Sequence, residues 1–177
     1  MTSAALTLLE PTQALKDEFL SMAAEFQAEG AIYSHHDRAR NDFGAFLDEM
    51  CAYAQGIGLP AGHVPMTTYW LVREDEHGKT ILGESRLRHY LNSALEVEGG
   101  HIGYAIRPSA RRQGYGTHIL ALTLEKARRM GLRRVLVTCD TDNIASARII
   151  KKNGGVLNGL VISPRAGRPI SQYWIEM

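Results

Sequence analysis

The sequence predicts a mixed α/β protein in which a mostly antiparallel central sheet is flanked by helices and leads into a β-loop-α unit. Two observations carry this prediction. Apolar residues recur at helical spacing in the N-terminal part, whereas short strand-like runs separated by glycine-containing turns follow. A strand, a glycine loop and an amphipathic helix then succeed one another directly between residues 101 and 130. The 177 residues suit one domain.

Two amphipathic helices are predicted before the sheet. The first runs from Pro11 to Glu29 and the second from Asn41 to Gln55, each followed by a glycine. Asn41 is the predicted N-cap of the second helix. The polar segment from Tyr33 to Arg38 predicts a loop between them. Residues 1–65 are therefore expected to supply helices and loops, and residues 66–177 the sheet.

An antiparallel meander is predicted next. The runs Thr67 to Arg73 and Ile81 to Arg88 are rich in β-branched and aromatic residues, and a polar turn containing Gly78 separates them. Glycines at 99 and 100 break the chain before a third strand, His101 to Ile106. A helix from Thr117 to Met130 follows. It places Ile119, Leu120, Thr123, Leu124 and Ala127 on one face.

The loop between this third strand and this helix, Arg111 to Thr117, has the features of an anion site. The first N–H groups of a helix lack intrahelical partners and lie at the positive end of its dipole. Gly114 and Gly116 are expected to allow positive φ and a close approach of phosphate, and Arg111 and Arg112 add positive charge. The loop predicts a phosphate-bearing cofactor.

Other readings of this loop are less favoured. A G-x-G before a helix can be a tight connection alone. A dinucleotide site would need a third glycine where Ile119 stands, and the G-x-x-x-x-G-K-[ST] loop of nucleoside triphosphatases is absent from the sequence.

A second motif narrows the choice. After the predicted strand Arg134 to Thr138 come Asn143 to Arg148 and then Asn153-Gly154-Gly155. The R-x-x-G-x-G loop followed by this asparagine motif, in this order, resembles the two cofactor motifs of the GNAT N-acetyltransferase superfamily. The final strand is predicted from Ile170 to Met177.

This resemblance implies acetyl-CoA (coenzyme A) as cofactor and the transfer of its acetyl group to a primary amine of a small molecule or peptide. It implies that the two early helices and their loops form the acceptor pocket. It also implies that residues 104–106 pair with the pantetheine arm, that the loop amides cradle the pyrophosphate, and that the Ile106 N–H is the oxyanion donor. The implied cofactor-binding residues are Tyr104, Ala105, Ile106, Arg111, Arg112, Gln113, Gly114, Tyr115, Gly116, Thr117, Asn143 and Ser146.

Catalytic side chains are less clearly indicated. Glu84 is the first candidate for general base, because a carboxylate within an otherwise strand-like run indicates either a function or a charged partner. An ion pair with Arg86 or Arg88 is the alternative. His101 is a second titratable candidate. Related enzymes often carry a tyrosine as general acid seven residues after the asparagine, where Ile150 stands here. Tyr104, Tyr173 or Ser146 would replace it, or water would protonate the leaving thiolate.

Composition restricts the remaining functions. A formal charge of +1 gives no electrostatic case for nucleic acid. Two cysteines predict neither a disulfide framework nor a metal site, and so favour a reducing cytoplasm. No apolar run long enough to span a membrane occurs. The resemblance also implies homodimer formation, and the missing tyrosine leaves a non-catalytic acyl-CoA-binding module as the alternative function.

Overall fold

A computed structural model describes residues 5–31 and 34–177. Residues 1–4, 32 and 33 lie outside the described residues, and with them Tyr33 of the predicted loop. The helices are α1 (Lys16–Ala28), α2 (Ser34–Asn41), α3 (Phe43–Ala54), α4 (Ser93–Val97), α5 (Tyr115–Arg129) and α6 (Ile144–Lys152). The strands are β1 (Ala5–Leu9), β2 (Met66–Asp75), β3 (Gly78–Arg88), β4 (Ile102–Ile106), β5 (Arg134–Asp140), β6 (Val156–Ile162) and β7 (Pro169–Glu176).

The strands form two antiparallel sheets. The first has the order β1-β2-β3-β4 and the second β5-β7-β6. They meet at His101, whose N–H donates to the Leu136 carbonyl at 2.7 Å and whose ring Nδ1 accepts from the Leu136 N–H at 2.9 Å. Beyond this junction β4 and β5 belong to separate sheets, so the edge of β4 is open toward α6. The mixed, mostly antiparallel fold predicted from the sequence is confirmed.

Two apolar cores lie against the first sheet. The α5 core contains the predicted face of α5, including Ile119 and Leu120, with Leu87 and Ile150. The α1–α3 core is built around Phe19. Its ring stacks on that of Trp70, with 4.9 Å between ring centroids, and on that of Phe46, with 5.2 Å between ring centroids. Strands β2 and β3 contribute to both cores, so they separate two independently packed layers.

Three elements differ from the sequence prediction. The segment predicted as a loop is helix α2 from Ser34 onward, whose buried face is formed by His35, His36 and Ala39. This face carries too few apolar residues to show helical periodicity. Strand β1 and the short helix α4 were also not predicted; β1 is only five residues long.

Helix ends refine the prediction. Helix α3 is capped by Asp42, whose Oδ1 accepts from the Ala45 N–H at 3.0 Å, and not by Asn41. The first helix is preceded by a 3-10 turn at Gln13–Leu15, which shortens it relative to the predicted start at Pro11. Among the described residues, no helix combines the length and apolar character needed to cross a bilayer.

Candidate active site

The loop before α5 has the backbone geometry of an anion cradle. Gly114 is the N-cap of α5 with φ 86°, and Arg112 also has positive φ, at 60°. The N–H groups of the residues from Arg112 to Gly116 donate no hydrogen bond to any part of the chain that the structure describes; intrahelical bonding resumes at the Thr117 N–H, which donates to the Gly114 carbonyl at 3.0 Å. A run of free donors at a helix start favours a phosphate ligand.

Gly116 serves a purpose other than the one predicted. It lies within α5, and its φ is not positive. A Cβ on this residue would lie 2.5 Å from Cδ1 of Ile149, on the facing helix α6. Gly116 therefore permits the close approach of α5 and α6, and the prediction of positive φ holds for Gly114 alone.

A cleft of about 520 Å³ opens beside this loop. All of the cofactor residues implied by the resemblance line it except Gln113, which lines a smaller cavity with Glu18 and Arg107. The sequence reading missed four lining residues, which are Ala110, Ala145, Arg148 and Ile149. Helical spacing along the segment after Asn143 could have identified Ala145 and Ile149, since they lie one turn apart on α6.

The open edge of β4 offers backbone groups to this cleft. The Arg107 N–H donates to Leu82 of β3 at 2.9 Å, and the Arg88 N–H donates to His101 at 2.8 Å. Because pairing alternates along an antiparallel strand, the N–H and C=O groups of Tyr104 and Ile106 point away from β3. The Ile106 N–H is therefore available to a bound molecule, as the oxyanion-donor prediction requires.

The charge of Arg111 is neutralised within the protein. Its guanidinium lies 2.9 Å from a carboxylate oxygen of Glu29, at the end of α1, and its Nε donates to the Ile106 carbonyl at 3.2 Å. Arg107 ties the same region to α1 through Glu25 at 2.5 Å and Glu18 at 3.1 Å. These contacts fix the cofactor loop relative to the helices of the other face.

Two hydroxyl groups meet inside the cleft. The Tyr104 hydroxyl and Ser146 Oγ share a hydrogen bond of 3.0 Å. Burial raises the pKa of Tyr104 to about 12, so its hydroxyl stays protonated at neutral pH. Asn143, which lines the cleft, caps α6 with its Oδ1 accepting from the Ser146 N–H at 3.0 Å, and this cap does not use its NH₂ group. The capping role and a ligand role are compatible because they use different atoms of this side chain.

Glu84 lies in a buried network on the opposite face of the sheet. Its carboxylate is 3.0 Å from His35 Nε2 and 2.9 Å from Arg86 Nη2, which also lies 2.9 Å from the His35 ring nitrogens. Burial alone would raise the pKa of Glu84, but the charges of Arg86 and His35 hold it well below its usual range. The ion-pair alternative weighed for this residue is therefore present, and a carboxylate so stabilised is a weak base.

The same cluster contains residue types that bind metal ions, but a positive charge already lies beside them. Ligand atoms of His35, His36 and Glu84 lie within 4.8 Å of one another. The Arg86 guanidinium already contacts two of these three residues and supplies the positive charge that a cation would bring. We therefore interpret the cluster as an ion-pair network.

Three histidines are buried that the sequence does not predict to be buried. His35 and His36 are 6% and 4% exposed, although they lie in the segment that the sequence predicts as a polar loop. Burial, reinforced by the neighbouring His35, lowers the pKa of His36 to about 4. Burial also lowers the pKa of His101 to about 4. The prediction that His101 titrates near neutral pH is therefore wrong.

Ile150 does not lie where the resemblance places the missing acid. It is fully buried in the α5 core and does not line the cleft, which its neighbour Ile149 does. Tyr173 is also buried in that core and does not line the cleft. Of the hydroxyl groups predicted to replace the acid, those of Tyr104 and Ser146 are the ones present in the cleft.

Comparisons with known proteins agree with this geometry. The family description "Acetyltransferase (GNAT) domain" matches residues 6–156. Among solved structures, the ribosomal L7/L12 alpha-N-protein acetyltransferase RimL in complex with coenzyme A has a TM-score of 0.70 at 15% identity, over 100% of this chain and 97% of that one. The Microcin C7 self immunity acetyltransferase MccE, in complex with acetyl-CoA and AMP, has a TM-score of 0.70 at 14% identity, over 97% and 92%.

A third structure, Mycobacterium smegmatis RimJ with a CoA disulfide, has a TM-score of 0.70 at 16% identity, over 97% of this chain and 81% of that one. These identities establish a shared fold. A search of curated proteins gave no match. The family match covers most of the chain and includes both cofactor motifs. The chain therefore belongs to the GNAT acetyltransferase family, whose acetyl donor is acetyl-CoA.

Proposed function

We propose that this acetyltransferase moves the acetyl group of acetyl-CoA to a primary amine of a small molecule or peptide, with the cofactor in the cleft between β4 and α6. The observation that carries the proposal is the run of free N–H donors from Arg112 to Gly116, which faces the same cleft as the open edge of β4. The structurally similar RimL is a ribosomal L7/L12 alpha-N-protein acetyltransferase, which supports a peptide amine as acceptor, and the structurally similar MccE holds acetyl-CoA, which supports the donor.

The residues divide the work by position. The loop amides bind the pyrophosphate, and the backbone of Tyr104 and Ile106 binds the pantetheine arm as an added strand would be bound, with the Asn143 amide group as a further donor. Acetyl-CoA supplies the acetyl group as an activated thioester. The Ile106 N–H donates to the thioester oxygen, on which negative charge develops during attack by the amine. Positioning of this kind supplies much of the rate.

Two proton transfers accompany acetyl transfer: the departing sulfur gains a proton from a side chain, and the amine loses its proton to water. The Tyr104 hydroxyl, which stays protonated and is hydrogen-bonded to Ser146, is the proposed donor to the departing sulfur. Glu84 was the first candidate for the base that accepts the amine proton. Its engagement by Arg86 and His35 favours a positioning function, in which it holds these two side chains on the face of the first sheet that packs against α1, α2 and α3, the proposed acceptor face.

Coenzyme A binding tests the cofactor site. We expect coenzyme A to raise the melting temperature of the wild-type protein, because a ligand that binds only the folded state stabilises it by about 2.7 kcal/mol at a hundredfold excess over Kd. Gly114→Val should abolish this shift, since the turn that exposes the N–H donors requires φ 86° at this position, a conformation that a β-branched residue does not adopt.

Gly131→Val is the matched control. Gly131 follows the other end of α5 with φ 87°, and like Gly114 it has no atom within 4 Å of an added Cβ. Both variants carry the same backbone strain, so both should lose stability, but only Gly114→Val should lose coenzyme A binding. Normal binding by Gly114→Val would place the phosphate site elsewhere.

Turnover separates the two functions considered. Release of free thiol from acetyl-CoA in the presence of primary amines, measured with a thiol reagent, is the expected result for the enzyme. Tight binding of coenzyme A with no thiol release on any amine would favour the acyl-CoA-binding module.

A cytoplasmic location agrees with the two free cysteines, and the homodimer stays a prediction that light scattering on the purified chain can test.

A further inference from the structure

A second cavity, of about 490 Å³, lies on the acceptor face of the sheet. Arg86 and Arg88 reach it from β3, on the face opposite to Ser85 and Leu87, which are directed toward α5. The loop after α3, helix α4 and the loop between β6 and β7 close the other sides. We refer to it as the arginine cavity, and its polar and charged lining residues are Tyr53, His63, Arg86, Arg88, Glu98 and Arg165.

The charges in the arginine cavity do not balance. Arg86 is paired with Glu84. Arg88 donates to two backbone carbonyls, of Gly99 at 3.1 Å and Gly100 at 3.0 Å, and forms no ion pair with a carboxylate in the described ranges. Arg165, in the loop between β6 and β7, likewise has no ion pair within those ranges. The one carboxylate of the lining, Glu98, accepts from Ser163 at 2.8 Å.

The positive charges of the cavity act on Arg88 in addition to its burial. Burial, together with the neighbouring charges of Arg86 and Arg165, lowers the pKa of Arg88 to about 10. Repulsion among guanidinium groups is relieved when an anion enters, and a carboxylate can accept two parallel hydrogen bonds from one guanidinium. The cavity is therefore better suited to an anion than to the cationic end of a diamine.

The register of β3 and β4 relates this cavity to the reacting centre. Glu84 is opposite Ala105, Arg86 opposite Gly103, and Arg88 is hydrogen-bonded to His101. Ala105 lines the cofactor cleft, so the arginines follow it along the strands in two steps of about 7 Å each. An acceptor can thus present its amine beside residues 105 and 106 while its far end lies in the arginine cavity.

We propose that the arginine cavity is the acceptor subsite and that the acceptor amine carries a carboxylate, which Arg88 and Arg165 bind. This proposal rests on the acetyltransferase function proposed above. Glu84 and His35 hold Arg86 at the entrance, between the carboxylate site and the cofactor cleft.

Paired probes test this specificity. We would compare 6-aminohexanoate with 6-aminohexanamide, and the peptide Ser-Ala-Asp-Glu with Ser-Ala-Asn-Gln amide, as acceptors at saturating acetyl-CoA. Each pair has the same amine and differs in the acidic groups. We expect kcat/KM to be at least tenfold higher for the acidic member of at least one pair. The pair that shows the preference identifies a small-molecule or a peptide acceptor.

The matched variants are Arg165→Gln and Arg128→Gln. Arg165 is exposed in its loop, so its substitution leaves the fold intact, and it should reduce the acid-to-amide ratio about tenfold without changing the Kd of coenzyme A. Arg128 is an exposed arginine on α5, far along the chain from the cavity residues, and its substitution should leave the ratio unchanged. Arg88→Lys, which keeps the charge and loses the fork, should fall between wild type and Arg165→Gln.

A binding measurement covers the case in which no probe is turned over. The acetylated products 6-acetamidohexanoate and its amide can be titrated into the protein with coenzyme A present, and the acid should bind at least tenfold more tightly. Equal kcat/KM for acid and amide, equal product affinity, or a ratio that Arg165→Gln does not change would overturn the proposal. Loss of coenzyme A binding in the wild type would instead contradict the proposed function itself.

Discussion

The ring of His101 holds the junction between the two sheets only while it is neutral. Its Nδ1 accepts from the Leu136 N–H, and protonation would place a second donor against that group. The pKa of His101 is lowered by burial to about 4, compared with about 6.5 for an unfolded chain. The junction is therefore an acid-sensitive contact.

We expect the free energy of unfolding to fall as the pH drops from 6.5 to 4. In this window His101 binds a proton in the unfolded chain but not in the folded protein. The free energy of unfolding therefore falls by up to about 3 kcal/mol from its value above pH 6.5. His101→Asn keeps an acceptor oxygen and removes the titration. Between these pH values, the free energy of unfolding of this variant, measured with urea, should fall less than that of the wild type.

His77→Asn is the control for this measurement. The His77 side chain is 85% exposed, so its removal should leave the pH dependence unchanged. His36, whose pKa is also lowered to about 4, keeps its own contribution in both variants. A His101→Asn profile parallel to the wild type would show that the ring does not titrate in this way.

Glu84 makes a second prediction at this scale. Because its pKa is held well below the usual range by Arg86 and His35, Glu84→Gln should leave the pH at which kcat/KM rises unchanged, while lowering kcat/KM through the misplaced Arg86. Glu125→Gln, an exposed substitution on α5, serves as control. Disappearance of the rising limb in Glu84→Gln would instead identify Glu84 as the base.

These residues show what a sequence can and does not reveal. The cofactor loop is predictable because consecutive residues create it: glycine sets the turn, and the start of a helix leaves the donors free. The Glu84 network joins residues 49 positions apart, so no local pattern reports it. Ile150 was misplaced because sequence position fixes the turn of the helix but not whether that side chain lies in the cleft or the core.

Among the elements, strand β4 is preceded by one glycine and contains another, and only the first is required by the structure. Gly100 has φ 59°, and a Cβ there would clash with the Leu136 carbonyl oxygen, a backbone atom of β5 that cannot rotate away. Gly103 is in the middle of β4 with nothing within 4 Å of an added Cβ. The first glycine is required by the sheet junction, and the second is not.

Gly100→Ala should therefore lower the free energy of unfolding by about 2–4 kcal/mol, through strain and displacement of β5. Gly103→Ala should change it by no more than about 0.5 kcal/mol. Chemical denaturation of the two variants provides the comparison. Similar losses in both would mean that the approach of β4 to β5 is looser than the structure shows.

Helix α2 explains why the acceptor side was harder to predict than the cofactor side. Its sequence, SHHDRARN, buries two histidines and one alanine, and these are indistinguishable from a polar loop without knowledge of the Phe19 ring against which His36 packs at 5.4 Å. Helix α5 carries its apolar face openly and was predicted correctly. Buried polar faces depend on partners distant in sequence, whereas apolar faces are visible locally.

At the scale of the whole molecule, the two cores should respond differently to the cofactor. Coenzyme A is proposed to contact β4, α5 and α6, which pack on the α5 core. In hydrogen exchange, we expect its addition to slow amides of α5 and α6 at least tenfold more than amides of α3, because the α1–α3 core is on the other side of β2 and β3. Equal slowing of α3 would show that the cores unfold as one unit.

The separation of the two cores also bears on how new specificities could be obtained. Side chains of α2 and α3 can be exchanged without touching an atom of the α5 core, except through the shared strands β2 and β3. Helix α1 is excluded from such exchange, because Glu25 and Glu29 hold the cofactor loop through Arg107 and Arg111. Libraries that vary only α2 and α3 should therefore return many variants with unaltered coenzyme A affinity and altered choice of amine. The proposed donor and acceptor sites lie on opposite sides of one sheet, so selection for a new acceptor would start from an intact cofactor site.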